Sequence, residues 1–379
     1  SDVDGSKDKP RKTILPDYKL TKADKKHVKE LKAKVKGLNR VLPFLSPDEQ
    51  AILTETTARN LVAAYDTLPS PQEMAAVAFS GRVKRGWYLN SARALGKIFG
   101  VDTPRVVALM AALSPRTSVE NSTINALRVW NAWVAAGRPT APGAIIRIMG
   151  QNVQGKGTEE SVLGAWRNNA ISALTAEDPS KVTLSGPKAN SFLLNLSEFT
   201  GEVTNDAWIA VYAGVSQDLF SANRSAPLPY KSWGYMAVSA RTRKAAQVLS
   251  KQLGETWAPA EIQETVWSWT KALYEKAEAT DEPRSALQIL EDGDLSHADI
   301  EGVPDFERLF LEGEYRQALE AGGYGAPLGE VEQAARERAE AAEPPPGSAY
   351  DVDEKQKGHL RRAARRIDKR RKARAAGKV

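Results

Sequence analysis

The chain has 379 residues, of which 42% are hydrophobic, and it contains no cysteine and three histidines. This composition excludes disulfides, cysteine-ligated zinc and thiolate-bound iron–sulfur clusters. The wide separation of His27, His297 and His359 argues against a histidine-rich metal site or a Ser-His-Asp triad. The hydrophobic fraction is sufficient for a sizeable core, and no apolar run reaches the roughly 18 residues of a membrane span, so no membrane partner is predicted.

The net charge of +6 is unevenly distributed along the chain. Residues 1–40 carry 13 Lys/Arg against 6 Asp/Glu, and residues 361–379 carry 10 against 1. Residues 281–360 are acidic, with 7 Lys/Arg against 20 Asp/Glu. Basic ends bind nucleic acid by displacing its counterions, but two solvated ends would have the same composition. Charge alone therefore leaves both interpretations open.

Helical signals follow one another along the chain, and no set of strands competes with them. A proline or a polar N-terminal start signal precedes most of the apolar patterns. The run that follows Pro104 is apolar on every side, which predicts a buried central helix. The sequence predicts a mostly α fold, with helices over 46–66, 71–80, 85–99, 103–113, 119–136, 164–174, 188–196, 230–253 and 259–278.

Composition also predicts how the chain is divided. Helical patches within the acidic region are expected over 304–321 and 328–342, and the end of the chain is either a polar, basic helix or disordered. The acidic residues 281–360 can fold back on the basic tail, bind a protein partner or serve as a solvated spacer. The predicted segments are a basic N-terminal arm (1–40), a helical domain (41–280), an acidic helical extension (281–343), and a linker with a basic C-terminal tail (344–379).

The stretch 184–214 carries the features that point most directly to chemistry. Gly186 can adopt backbone angles closed to other residues and Pro187 suits the first position of a helix, so a tight turn into a helix is expected. Backbone N–H groups at a helix N-terminus bind phosphate, and Lys188 stands beside them. Asp206 follows 18 residues later, at the start of the next helix. A phosphate-binding turn, a lysine and a carboxylate in this order suggest chemistry on nucleic acid.

Three segments line up, in order, with the motifs of one family. In Leu109 to Trp130 a buried helix ends in Leu-Ser, and a polar residue and a new helix follow. Residues 166–171 (WRNNAI) look like an aromatic-x-x-Lys-Ala segment, and residues 184–206 look like a hairpin with its lysine and aspartate. Together they resemble the helix-hairpin-helix DNA glycosylases, with the lysine-to-aspartate spacing of the endonuclease III branch. The resemblance covers about residues 100–275 and implies a glycosylase-like helical fold with basic N- and C-terminal extensions.

The sequence departs from the family pattern at several points. Leu184-Ser185-Gly186 stands where the hairpin usually has Gly-hydrophobic-Gly, and Ala207-Trp208 follows the aspartate where the family often has Thr-His. The cysteine-bound cluster of the endonuclease III branch is impossible without cysteine, so no cofactor is expected.

The resemblance implies a role for each matched residue. Asp206 would activate water or lysine and stabilise positive charge on the sugar as the N-glycosidic bond breaks, but its position also fits an N-cap of the next helix. Lys188 matches the Schiff-base lysine of bifunctional members, while a phosphate contact or a solvated helix start fits it as well. Arg116 and Thr117 occupy the place of the wedge that fills the gap left by a flipped base, although Arg116 can also pair with Glu120.

Further contacts to DNA and to a flipped base are expected around these residues. Aromatic residues at helical spacing are more often core than pocket, and Trp267 is expected in the core. The predicted DNA-binding residues are Gly186, Pro187, Lys188, Asn190, Arg116 and Thr117. The predicted base-pocket residues are Trp87, Tyr88, Asn121, Trp166, Trp208 and Tyr230.

Three functions are compatible with this interpretation. The first is a DNA glycosylase, with or without lyase activity, that flips a base from duplex DNA and cleaves its N-glycosidic bond. The second is a transferase on the same fold that modifies an activated 5-hydroxymethyluracil-type thymine in phage DNA. The third is a DNA-binding protein without catalysis. All three predict double-stranded DNA as the partner of a monomeric protein in the cytoplasm of a bacterial or phage-infected cell.

Overall fold

A computed structural model describes residues 68–153, 162–214, 220, 233–278, 298–300, 302–341 and 354–376. These residues form α-helices and short 3₁₀ turns and no β-strand, which confirms the mostly α class. The predicted arm 1–40 and the predicted helix 46–66 lie outside the described residues. A search of the described helices finds none with the length and apolarity to cross a membrane.

The helices are α1 (Pro71–Ser80), α2 (Trp87–Phe99), α3 (Thr103–Ala112), α4 (Val119–Ala135), α5 (Pro142–Asn152), α6 (Gly164–Thr175), α7 (Pro187–Leu196), α8 (Ala207–Ala213), α9 (Trp233–Leu253), α10 (Pro259–Glu278), α11 (Phe306–Leu309), α12 (Gly313–Ala321), α13 (Gly325–Ala341) and α14 (Glu354–Ala375).

The chain divides into two compact units that are each discontinuous in sequence. Unit 1 comprises Ser1–Arg85, Thr200–Val303 and Asp351–Val379, and unit 2 comprises Gly86–Phe199 and Pro304–Tyr350. The units interleave along the chain, whereas the four predicted segments are consecutive, so the segment boundaries remain predictions.

The centre of unit 1 is α1, which packs against α9, α10 and α14. Ser70 caps the helix by accepting a hydrogen bond from the Glu73 N–H at 3.1 Å, and a proline occupies its first turn. With helices around it, α1 buries eight of its ten residues, beginning with Pro71. Gly81 follows directly, and a Cβ there would collide with the backbone carbonyl of Thr265 on α10. The glycine therefore permits the close approach of α1 and α10.

The centre of unit 2 is α3, which packs against α2, α4, α6 and α7. Residues 106–113 are all at most 2% exposed, which confirms the predicted buried central helix. Arg105 at its beginning donates to the carbonyl oxygen of Ala173 at 3.1 Å, near the end of α6. The helix leads directly to Ser114, so its packing sets where the following loop begins.

The segment 304–321, where helical patches are predicted, forms two helices, α11 and α12. Glu312 is extended (φ −130°, ψ 151°) and Gly313 has φ +56°, so the helical backbone is interrupted between α11 and α12. The second helix is fixed to α4, where the Tyr315 hydroxyl donates to the Glu120 carbonyl at 2.7 Å and Asn131 Nδ2 donates to the Ala318 carbonyl at 2.7 Å. Burial raises the pKa of Tyr315 to about 12. This part of the acidic extension is thus a packed portion of unit 2.

Candidate functional site

Asp206 lies at the N-terminus of α8 in unit 1, where its carboxylate is held by two N–H donors. One oxygen, Oδ1, accepts from the Ile209 N–H at 3.1 Å, which confirms the N-cap interpretation. The other oxygen, Oδ2, accepts from the indole Nε1 of Trp267 on α10 at 2.7 Å. The residue is half-buried. Both oxygens are therefore fixed in direction by N–H donors.

The indole that holds Asp206 lies next to a cation on the same helix. Lys271 is one turn beyond Trp267, and its Nζ lies 5.9 Å from the centroid of the indole ring. The Lys271 side chain is 12% exposed, and its Nζ is 3.0 Å from the Glu275 carboxylate. A carboxylate, an indole N–H and an ammonium group thus lie within two neighbouring helices of unit 1.

Buried polar side chains fix the conformation of residues 203–205, which precede Asp206. Asn205 is 1% exposed, and its Nδ2 donates to the Tyr235 carbonyl at 3.1 Å and to Ser239 Oγ at 2.9 Å. The Tyr235 hydroxyl accepts from the Asn205 N–H at 3.0 Å and donates to the Val203 carbonyl at 2.8 Å. These hydrogen bonds join residues 203–205 to α9 and hold the backbone that precedes Asp206.

Sequence reasoning did not assign these supporting residues to the site. Trp267 was predicted to be core, and it is indeed only 8% exposed, but its indole nitrogen reaches the carboxylate. The available signal was the spacing of Gln263, Trp267 and Lys271, which are four residues apart and share one face of a helix.

The turn before α7 in unit 2 has the predicted form. Gly186 has φ +100° and ψ 135°, a combination that strongly favours glycine, and Pro187 begins the helix. A Cβ at Gly186 would meet nothing within 4 Å, so the backbone angles, and not lack of space, explain the glycine. Asn190, which is 3% exposed, accepts from the Leu184 N–H at 2.7 Å and donates to the Gly186 carbonyl at 3.3 Å. The Asn190 side chain therefore closes the turn, and its contact to DNA stays a prediction.

Two side chains hold the loop 114–118 of unit 2 through its backbone. Lys188 Nζ donates to the Ser114 carbonyl at 2.9 Å, and Trp166 Nε1 donates to the Pro115 carbonyl at 2.9 Å. The base of the turn is itself joined to α6, since Asn169 accepts from the Ser185 N–H at 2.7 Å. The predicted residues Lys188 and Trp166 are thus brought together on this loop, with their polar atoms on its carbonyl groups.

Arg116 projects from this loop. It has φ +60°, an uncommon value for a residue other than glycine, and it is exposed. Within the part of the chain that the structure describes, Arg116 has no ion pair with Glu120, the alternative raised from the sequence. Thr117 is half-buried, and Ser118 caps α4 by accepting from the N–H of Asn121, which is exposed, at 3.1 Å. The loop therefore presents a guanidinium group on a fixed backbone.

The other predicted pocket residues have different surroundings. In unit 2, Trp87 is 8% exposed, packs edge-on against Tyr88 at 5.1 Å between ring centroids, and donates from Nε1 to the Pro304 carbonyl at 3.2 Å. In unit 1, Trp208 is half-buried, with its ring centroid 6.1 Å from that of Tyr274. Tyr230 lies outside the described residues. Core packing accounts for Trp87 and Tyr88, and their contact to a base stays a prediction.

The predicted site residues belong to both units. Asp206 and Trp208 are in unit 1, whereas Lys188, Arg116 and the other described residues of the predicted set are in unit 2. Among the residues of the described ranges, no three His, Asp or Glu side chains converge in an arrangement that could hold a metal ion. The geometry therefore gives two polar arrangements, one around a carboxylate and one around a loop.

Comparison with known proteins adds a family. Searches against curated proteins and against solved structures each found no match. A model of a family of unknown function (DUF7178) matches residues 48–272, which include Arg116, Lys188, Asp206 and Trp267. Since the match spans more than half of the 379 residues, the chain belongs to this family.

Proposed function

We propose that the protein is a DNA glycosylase-like enzyme of the helix-hairpin-helix type that flips a base from duplex DNA and cleaves its N-glycosidic bond. The observation that carries this proposal is the pair of hydrogen bonds on Asp206, from the Ile209 N–H at 3.1 Å and the Trp267 indole at 2.7 Å. Hydrogen bonds to an ionised acceptor are short and strong, so these two donors stabilise the charged carboxylate. A negative charge held in a fixed position can stabilise the positive charge that develops on the sugar.

The proposed reaction breaks the bond between C1′ of the sugar and the base nitrogen. Positive charge develops on the sugar as the base leaves, and the Asp206 carboxylate stabilises it. Water then supplies a hydroxyl group to C1′ and a proton to the departing base, which leaves an abasic site and a free base. Preorganised charge of this kind is worth about 10²–10³ in rate, since it needs no rearrangement during the reaction.

The loop 114–118 has the second role in the proposal. Flipping a base costs a few kcal/mol, and a side chain that fills the gap offsets part of this cost. Arg116 is exposed on a loop whose carbonyl groups are bound by Lys188 and Trp166, so its backbone needs little ordering when DNA binds. Lys188 is assigned to holding this loop, and bond cleavage proceeds without a covalent lysine adduct.

Asp206→Asn tests the proposal directly. Asparagine is as good an N-cap as aspartate, so α8 should be retained while the negative charge is lost. We expect release of free base to fall by about 100-fold or more, while duplex affinity stays the same. The measurement is alkaline cleavage of abasic sites in a panel of duplexes that each carry one modified base. An unchanged rate on a cleaved substrate would show that the mechanism is wrong.

The N-cap contact of Asp206 also favours a second candidate, a DNA-binding protein without turnover. A cap alone accounts for an aspartate at this position, because it stabilises the first turn of α8. Mass spectrometry of nucleosides after incubation separates the candidates. Free base supports the glycosylase, a heavier nucleoside supports a base-modifying transferase, and unchanged DNA that stays bound supports the second candidate.

A further inference from the structure

The C-terminal helix α14 is docked in unit 1 by its apolar and arginine side chains. Leu360, Ala363, Ala364 and Ile367 are each at most 7% exposed, and they lie at the spacing of one helix face. This outcome resolves the alternative that the sequence left open, since the basic end of the chain forms a helix from Glu354 to Ala375. The family match ends at residue 272, so α14 is an addition to the matched region.

Two arginines fix the docked position. Arg366 donates to Glu73 Oε2 at 2.8 Å and to the Leu68 carbonyl at 2.6 Å, at the start of α1. Arg370 donates to the Tyr212 carbonyl at 3.0 Å, in the last turn of α8. A Cβ on Gly214, which ends α8, would collide with the Arg370 side chain. The helix therefore rests on α1 and on the end of α8.

The opposite face of α14 is a row of cations. Among the residues of α14 whose side chains the structure describes, five basic residues are exposed, and they share an arc of roughly 100° at 3.6 residues per turn, with the buried residues on the other side. The row extends for about 16 Å along the helix, a length along which duplex DNA presents roughly nine phosphate charges. The residues of this cation row are Arg361, Arg362, Arg365, Lys369 and Lys372.

The same face is poor in acidic groups. Asp368 is the one carboxylate among residues 361–379, and it is half-buried at the edge of the row. In the described part of the chain, no hydrogen bond or ion pair engages the side chains of the cation row. Five neighbouring cations repel one another, so a polyanion that neutralises them would bind favourably.

The position of α14 favours nucleic acid over a membrane surface. A helix that binds a membrane inserts its apolar face between the lipids, but the apolar face of α14 is packed in unit 1. The contact at Tyr212 lies six residues, or about 9 Å along α8, from Asp206. The cation row therefore lies on the solvent side of a helix whose other side contacts the end of α8.

We propose that the cation row of α14 binds the phosphate backbone of duplex nucleic acid at the surface of unit 1. The choice of duplex DNA as the ligand rests on the proposed function, since a base-flipping enzyme must bind the duplex. The contact is independent of base sequence, because phosphates are the same at every step. Its signature is therefore a strong dependence of affinity on salt concentration.

The test replaces the five residues of the cation row with glutamine in the full-length protein and leaves Arg366 and Arg370 in place. A charge-matched control replaces Lys7, Lys9, Lys19, Lys22 and Lys25 of the basic arm with glutamine. Fluorescence anisotropy with an unmodified duplex gives the affinity of each protein over a range of salt concentrations. Circular dichroism and thermal unfolding show whether α14 stays docked. A two-site variant, Arg365→Gln with Lys369→Gln, covers the case in which the full set does not fold.

We expect the α14 variant to bind at least tenfold more weakly than wild type. The plot of log affinity against log salt has a negative slope. Its magnitude should decrease by about 0.9 for each phosphate that the variant no longer neutralises. The two-site variant should lower this magnitude by about twice that amount, because it removes two cations.

Three results would overturn the proposal. The proposal would be overturned if the affinity for duplex fell as much in the control as in the α14 variant, because net charge alone would then explain binding. The proposal would also be overturned if the folded α14 variant bound duplex as tightly as wild type. The third such result is an α14 variant that binds anionic phosphatidylserine vesicles more weakly than wild type while its affinity for duplex is unchanged. If wild type binds no duplex, this inference and the proposed function both fail. If wild type binds duplex through the cation row but Asp206→Asn releases base at an unchanged rate, only the proposed reaction fails.

Discussion

The Asp206 region of unit 1 and the loop 114–118 of unit 2 each combine an indole N–H with one other donor, but the acceptors differ. In unit 1 an indole N–H and a backbone N–H converge on a side-chain carboxylate. In unit 2 an ammonium group and an indole N–H converge on two backbone carbonyls. One arrangement fixes the direction of a charge, and the other fixes the path of a backbone. Loss of a donor should therefore affect turnover in the first region and binding in the second.

After Asp206→Asn, the largest effect on turnover is expected from Trp267→Phe, which removes the donor on Asp206 Oδ2. A hydrogen bond to a charged group is worth about 1.5–3 kcal/mol, so base release at saturating DNA should fall by roughly 10- to 100-fold. The control is Trp269→Phe on the same helix, because the Trp269 indole nitrogen is buried without a hydrogen-bond partner in the described structure. Trp269→Phe should lower the free energy of unfolding through lost packing alone and leave turnover unchanged, whereas Trp267→Phe also loses a hydrogen bond. Equal losses of turnover in the two variants would contradict this role of the Trp267 N–H, since lost packing would then explain both.

An intermediate effect is expected from Gly186→Ala. An L-residue at φ +100° costs about 1–3 kcal/mol of stability, and the added Cβ meets no neighbour, so the cost is confined to the backbone. Gly164→Ala is the control in the same unit, because it also has open space but lies at a helix start without a positive φ. Urea unfolding should show a loss for the first variant and a small gain for the second. If both variants gain stability, the turn is not held at these angles.

The smallest effect is expected from Lys188→Met, which removes the bond to the Ser114 carbonyl. This bond contributes about 1 kcal/mol, so duplex affinity should fall about fivefold while turnover at saturating DNA is retained. Lys181→Met is the control, since Lys181 is exposed and its ion pair with Asp178 is on the surface. Loss of turnover together with loss of a borohydride-trapped DNA adduct would instead make Lys188 the nucleophile.

The residues that start and end the helices could be predicted from the sequence because their signals are local. Pro71, Pro187 and Pro259 begin helices where expected, and Asp206 caps α8 through the N–H of a residue three positions away. The apolar run 106–113 is buried on all sides because no polar side chain interrupts it. Each of these features depends on neighbours within one or two turns of helix.

Tertiary structure alone decided which polar atoms meet. Trp267 is 61 residues from Asp206, and Lys188 is 74 residues from Ser114, so neither contact leaves a pattern in the intervening sequence. The same holds for Arg366 and Glu73, 293 residues apart, whose pairing turns a basic terminus into a docked helix. Composition shows that such side chains exist, but only the packing of apolar faces brings two distant segments close enough for hydrogen bonds. The carboxylate at the start of α8 was therefore visible in the sequence, and the donor that fixes its direction was not.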